Sequence, residues 1–134
     1  MLVLAMHEGD EPMMTKEIAE KQNLPAAYLE QLMLTLRKAA LVNATRGAKG
    51  GYALARDPKA ITLAQVIEAL EGRLDIADCA DVPSCCLDPH ACALKEVFVT
   101  ANKALHEVFD GVSLAALVEN QRAREREGTS MYFI

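Results

Sequence analysis

Residues 15–54 read TKEIAEKQNLPAAYLEQLMLTLRKAALVNATRGAKGGYAL, and this stretch decides the fold. Thr15 is an N-cap residue for a short helix over Lys16–Gln22, with Glu17 placed near its positive end, and Asn23 supplies the turn that follows. Pro25 suits the first position of a second helix, in which Leu29, Leu32, Met33, Leu36 and Ala40 recur at three- and four-residue steps and form one buried face. Ala26, Ala27, Tyr28, Glu30, Gln31 and Thr35 are left on the other side. Two strand candidates, Val42–Thr45 and Tyr52–Ala55, are joined through Arg46-Gly47-Ala48-Lys49-Gly50-Gly51. The glycines at 47, 50 and 51 allow left-handed backbone and a close approach to a phosphate surface. Helix, turn, helix and basic glycine-rich hairpin in that order predict a winged helix-turn-helix, a module that places one helix in a DNA groove.

The charge distribution agrees with this reading although the net charge, −5, is acidic. Residues 13–59 hold eight Lys/Arg against four Asp/Glu, while residues 60–134 hold six against twelve. Phosphate attraction needs a local patch, not a basic average. The candidate DNA-contacting residues are Thr15, Ala26, Tyr28, Gln31, Arg46 and Lys49. Gln31 can pair bidentately with adenine, and Tyr28 can reach a phosphate or a thymine methyl. Arg46 has the length and permanent charge to enter a minor groove, with Lys49 adding phosphate attraction.

Working outward, Met1–His7 is an apolar helical segment stopped at Gly9, and it begins in mid-pattern, as though its start lay further upstream. Downstream, Thr62-Leu63-Ala64-Gln65 is a capping box, Leu63, Val66, Ile67 and Leu70 form a buried face, and Gly72 ends that helix. Asp88-Pro89 reads as the cap and first turn of a long helix whose apolar residues Leu94, Phe98, Ala101, Leu105 and Val108 follow heptad steps. Such a seam suits either pairing with a second copy or packing on its own domain. Gly111 breaks the helix, Ser113 recaps it, and Leu114, Leu117 and Val118 form a last short apolar stripe. Gln121–Gly128 is charged and expected in solvent, and the apolar Met131–Ile134 is expected to dock.

The organisation expected is therefore a DNA-binding domain over 1–72, a cysteine loop over 73–92, and a dimerisation helix with a C-terminal tail over 93–134. The fold class is mainly α with a small β wing. With 134 residues, half of them apolar and only 4% aromatic, the chain can bury one core built of Leu, Ala, Val and Met. It has neither a signal peptide nor an apolar run near the ~20 residues that cross a bilayer, so a soluble cytoplasmic protein with no membrane role is expected.

All four cysteines fall within residues 79–92, as Cys79-x5-Cys85-Cys86-x5-Cys92. A cluster this tight points to a metal or redox site, not to scattered disulfides. Cys79, Cys92 and one of the adjacent pair can supply three thiolates, with Cys86, Asp88, His90 or the distant His7 as a fourth donor. Structural zinc prefers close Cys-x2–4-Cys pairs, which are absent, whereas iron–sulfur clusters accept looser loops and thiols alone can sense oxidants. No Ser/His/Asp or paired-carboxylate pattern is present, and the glycine-rich turn lacks phosphate-loop spacing, so no enzyme is expected.

The runs NLPAAYLEQLMLTLRKAALV (23–42), TRGAKGGYALAR (45–56) and ITLAQVIEALEG (61–72), with the closing SMYFI (130–134), resemble the Rrf-two family of bacterial repressors, also called the BadM or IscR/NsrR/CymR type. The resemblance runs from Met1 to Ile134. It implies a winged helix, a homodimer made by the long helix, and an iron–sulfur cluster on three loop cysteines; a palindromic DNA operator is expected if that helix pairs two copies. Position by position it makes Tyr28 and Gln31 major-groove residues and Arg46 a minor-groove residue. It also puts Cys79, Cys85 and Cys92 on the cysteine motif, leaving Cys86 and His90 as alternates. The family's first helix ordinarily starts further upstream, and IscR-like members carry histidine where this chain has Lys95. Nuclearity (2Fe-2S or 4Fe-4S) and the fourth ligand stay open. Two other readings of the residues are a metal-free regulator governed by a protein partner or by cysteine oxidation, and a zinc-stabilised interaction module.

Overall fold

The computed structural model describes residues 1–7, 9, 11–47, 50–76 and 92–130, with backbone alone for 128–130. In chain order these form α1 (Leu2–Met6), α2 (Thr15–Gln22), α3 (Ala26–Lys38), β1 (Val42–Thr45), β2 (Gly51–Leu54), a 3-10 turn (Pro58–Ala60), α4 (Leu63–Glu71), α5 (Lys95–Asp110) and α6 (Leu114–Ser130). The fold is mainly helical with one small antiparallel hairpin, as the sequence led us to expect.

Elements form where local chemistry directs them, with boundaries displaced by a residue. Thr15 is the first residue of α2 and not its cap, which is Met14. Pro25 is the cap of α3 and not its first residue. Asn23 adopts the left-handed conformation at φ 50°, which its short polar side chain tolerates. Thr62 and Gln65 make both bonds of the capping box on α4, and Gly72 ends that helix at φ 91°.

The end of α3 departs from the sequence reading. Ala40, assigned to the buried helical face, lies beyond the helix in the left-handed region at φ 55° and is exposed. The Leu41 amide donates to the Leu36 carbonyl at 3.0 Å and the Ala40 amide to that of Arg37 at 3.0 Å. These two bonds are a Schellman motif, and buried Leu36 and Leu41 supply its apolar contact. The chain is thereby turned from α3 directly into β1.

The wing pairs Val42 with Leu54 and Thr45 with Gly51. Met13 adds a third piece to its edge: its amide donates to the Tyr52 carbonyl at 2.9 Å, and the Tyr52 amide donates back at 2.8 Å. This exchange explains Gly51, since a Cβ there would land on the Met13 carbonyl, and one at Gly50 on the Thr45 carbonyl. These two glycines thus serve close approach within the protein's own backbone. Gly47, at φ 117°, is the one whose conformation itself favours glycine.

One core joins both ends of the chain. Met13, Ile18, Leu29, Met33, Leu36, Leu41, Val42 and Ile61 pack with Leu114 from α6, while Leu117 covers the edge. The Leu63 amide donates to Val112 at 2.8 Å and the Leu114 amide to Ile61 at 2.9 Å, forming a small bridge between Thr62 and Ser113. The Ser113 hydroxyl then accepts the Ala116 amide, the cap expected of it. The core of the unit expected over residues 1–72 therefore draws on residues beyond 72, with α6 also packed on α1 and the 3-10 turn. Removing Leu114 from water contributes on the order of 2 kcal/mol to holding that return in place. Beyond this packed start, α6 continues as a helix to Ser130, with Arg122, Arg124, Glu125, Arg126 and Glu127 exposed.

Asp88, Pro89 and Met131–Ile134 lie outside the described residues.

Candidate nucleic-acid interface and cysteine loop

The expected reading helix is α3. Leu29, Met33 and Leu36 face the core, and at 100° per residue the stripe opposite them is Ala27, Gln31, Leu34 and Lys38. All four are exposed, as are Ala26, Tyr28, Glu30 and Arg37. Thr15 is half-buried at the start of α2, on the other arm of the helix-turn-helix. Neither α2 nor α3 has a side-chain cap, whereas α4 is fully capped. The uncapped amides of the two helix starts, with their positive dipole ends, are suited to phosphate oxygens.

Arg46 directly follows β1 and is exposed. Among the described residues Arg37, Lys38 and Arg46 make no ion pair, so their charge is available to an anionic partner. The lysines of α2 differ: Lys21 pairs with Glu17 at 3.0 Å and Lys16 with Glu20 at 3.9 Å. These pairs are exposed and contribute little to stability. Lys49 lies outside the described residues. The sequence reading did not single out Leu34 and Lys38. Their signal was the continuation of the Ala27–Gln31 stripe by one and two further turns.

Of the cysteine loop, Cys79, Cys85, Cys86 and His90 lie outside the described residues, and Cys92 lies within them. Cys92 is a half-buried free thiol in the turn that opens α5, its carbonyl accepting the Lys95 amide at 3.2 Å. The other end of the loop is held by a polar cluster that the sequence reading missed. Asn102, buried in the middle of α5, accepts the Ile76 amide at 2.8 Å and donates to the Asp75 carboxylate at 3.3 Å. Asp75 is itself almost fully buried, with Arg73 Nε at 2.6 Å and His106 Nε2 at 3.7 Å. Residues 76 and 92, which flank the loop, are thus both tied to α5. A buried Asn inside an apolar heptad pattern was the available signal. Four thiols within fourteen residues are soft donors of the kind that hold an iron–sulfur cluster, and Cys92 is the one that falls among the described residues.

The apolar surface of α5 is divided between two faces. Phe98 and Leu105 are half-buried on the side of Asn102, which bonds to Asp75 and Ile76 just beyond α4. Leu94, Val97 and Val108 are 59%, 62% and 59% exposed. Together with half-buried Ala101 and exposed Ala104 they form a second heptad stripe pointing away from the core. Leu94, Ala101 and Val108 belong to the expected seam; Val97 and Ala104 were not expected.

No helix is long and apolar enough to cross a membrane among the described residues.

Comparison with known proteins gives a consistent result. A family model described as Rrf2, iron-dependent transcriptional regulator, matches residues 1–120. The chain is 38% identical over 117 residues to the transcriptional regulator CymR of Bacillus subtilis, covering 87% of this chain and 80% of CymR. It is 34% identical over 121 residues to the regulator IscR of Yersinia pseudotuberculosis, covering 90% and 73%. Among solved structures, CymR, the global cysteine regulator of B. subtilis, superposes with a TM-score of 0.75 at 36% identity, covering 89% and 87% of the two chains. IscR of T. potens superposes with a TM-score of 0.71 at 39% identity, covering 90% and 78%.

Proposed function

This chain belongs to the Rrf2 family of DNA-binding transcriptional regulators, which are not enzymes, and from that premise we propose that it is a homodimeric repressor switched at its cysteine loop. Each α3 enters the major groove of one half of a palindromic operator, with Tyr28 and Gln31 at base edges and Arg46 in the adjoining minor groove. The outward stripe Leu94–Val108 pairs the two copies. Cys79, Cys85 and Cys92 would hold an iron–sulfur cluster, with Cys86 or His90 as alternates. When bound, that group supplies a reversible change of charge and coordination at the head of α5.

The observation that carries this reading is the double attachment of the loop. Ile76 is bonded to Asn102 at the centre of α5, and Cys92 sits in the turn that opens the same helix. A change at the loop thiols therefore acts on α5 directly. Because α5 also packs on α4, it bears on the spacing of two readers.

Anaerobic purification with a visible spectrum and iron and sulfide analysis tests the cofactor. A coloured protein whose operator affinity changes on cluster removal is expected. A colourless, iron-free protein that binds equally before and after reconstitution would sink the iron–sulfur reading.

A second reading, thiol oxidation without metal, is favoured by one neighbour. A solved structure described as the oxidized form of Staphylococcus aureus CymR superposes with a TM-score of 0.67 at 36% identity. Thiol titration of metal-free protein after mild oxidant, read against operator binding, separates the two. Control by a protein partner is the outcome if neither treatment changes affinity. The zinc-stabilised module without a DNA role is set aside by the family assignment.

A further inference from the structure

We propose that Leu34 is a specificity-determining residue that reads the 5-methyl group of a thymine in the operator, an inference that rests on α3 being the DNA reader. Leu34 is 45% exposed and takes no part in the core cluster. It lies on the stripe formed by Ala27, Gln31 and Lys38, on the side of α3 opposite Leu29, Met33 and Leu36. Nearly half of this leucine is therefore left open to solvent outside the core.

The chemistry of the groove narrows what Leu34 can meet. Its side chain has no donor or acceptor, so against guanine, cytosine or adenine edges it would cover polar groups without pairing them. The thymine methyl is the one apolar feature that the major groove displays. Reach agrees with this. Leu34 stands three residues beyond Gln31, about 4.5 Å further along the helix axis. That distance is comparable to the spacing between successive nucleotides of one strand, about 3.4 Å. Gln31 and Leu34 can therefore address neighbouring base pairs, one by hydrogen bonds and the other by apolar contact. Arg37 and Lys38 flank Leu34, both exposed and without ion pairs among the described residues, and they supply the attraction to phosphate that presses this face towards DNA.

The test removes the methyl and the leucine separately. A duplex is first selected from a random library by the full chain. Each thymine in it is then replaced in turn by deoxyuridine, which differs only by the missing methyl. Binding is measured for the native chain, Leu34→Ala, Leu34→Met and Tyr28→Ala, from one type of preparation at fixed salt. The native chain should lose about fourfold in affinity at one thymine per half-site, the value of one methyl-sized apolar group. Leu34→Ala should bind thymine and deoxyuridine alike at that position, while Leu34→Met keeps the preference. Indifference of the native chain to every replacement overturns the proposal, as does a preference that survives Leu34→Ala or disappears only in Tyr28→Ala. If the native chain selects no duplex at all, the DNA-reading role of α3 fails first, and that failure is visible before any deoxyuridine is used.

Discussion

The amide of Ile76 donates to the side-chain oxygen of Asn102 at 2.8 Å, across twenty-six residues of chain, and fastens the entry of the cysteine loop to the middle of α5. The other half of the Asn102 amide faces Asp75, so one buried side chain satisfies a backbone donor and a buried carboxylate together. Asn102→Leu should strand the Ile76 amide, at a cost of about 1–3 kcal/mol, and take one donor from Asp75, which keeps Arg73. Urea denaturation should show a loss of at least about 1 kcal/mol, and Asn102→Ala should behave alike. Native stability in both variants would mean that these bonds contribute nothing.

The two apolar faces of α5 lead to a separable pair of variants. Val97→Glu puts a charge on a side chain that is 62% exposed in the single chain, so the monomer should fold normally. Sedimentation should nevertheless show dimer for the native chain and monomer for this variant, with palindrome binding lost. Phe98→Ala, on the face next to Asn102, should instead lower stability by about 3 kcal/mol. A dimeric Val97→Glu protein would place the interface elsewhere.

In the reader, Gln31→Ala should relax base preference at one position per half-site by about 1–3 kcal/mol. Lys38→Ala and Lys49→Ala should weaken all sequences alike and lower the salt dependence by about one counterion each. Arg46→Ala should weaken binding most where the flanking minor groove is narrow. Equal losses for Gln31→Ala on every sequence would contradict the groove assignment.

Ala40 is held at φ 55° in the Schellman turn and points to solvent. Ala40→Gly should remove about 1 kcal/mol of backbone strain and raise the melting temperature by about 3 °C. An unchanged or lower melting point would count against strain at this position.

The wing glycines should respond unequally. Gly51→Ala drives a methyl into the Met13 carbonyl and should break the bridge between Met13 and Tyr52, at a cost of about 2 kcal/mol or more. Gly47→Ala meets nothing within 4 Å and should cost only its backbone conformation, about 1 kcal/mol. Thermal melts of the two variants should fall in that order.

Much of this protein was determined by sequence alone, wherever the governing interaction is local. The period of Leu29, Met33 and Leu36 sets the inner face of α3, the Thr62–Gln65 pair starts α4, and Arg46 with its glycines marks the wing. Such signals lie within one or two helical turns, or one hairpin, so spacing suffices to read them. The bunching of four cysteines is legible for the same reason. Three features were decided only by tertiary structure. Leu114 closes the core of a domain that, by sequence, ended at residue 72. Gly51 answers to Met13, thirty-eight residues earlier. Asn102 has its partners at Asp75 and Ile76. Each of these depends on a partner distant in the chain, and the periodicity of a single segment carries no record of which distant group will occupy its other side. The heptad pattern of α5 had the same limit. Leu94, Phe98, Ala101, Leu105 and Val108 are apolar whichever face turns inward, and the buried side chain of Asn102, fixed by Asp75 and Ile76, decides which face stays exposed.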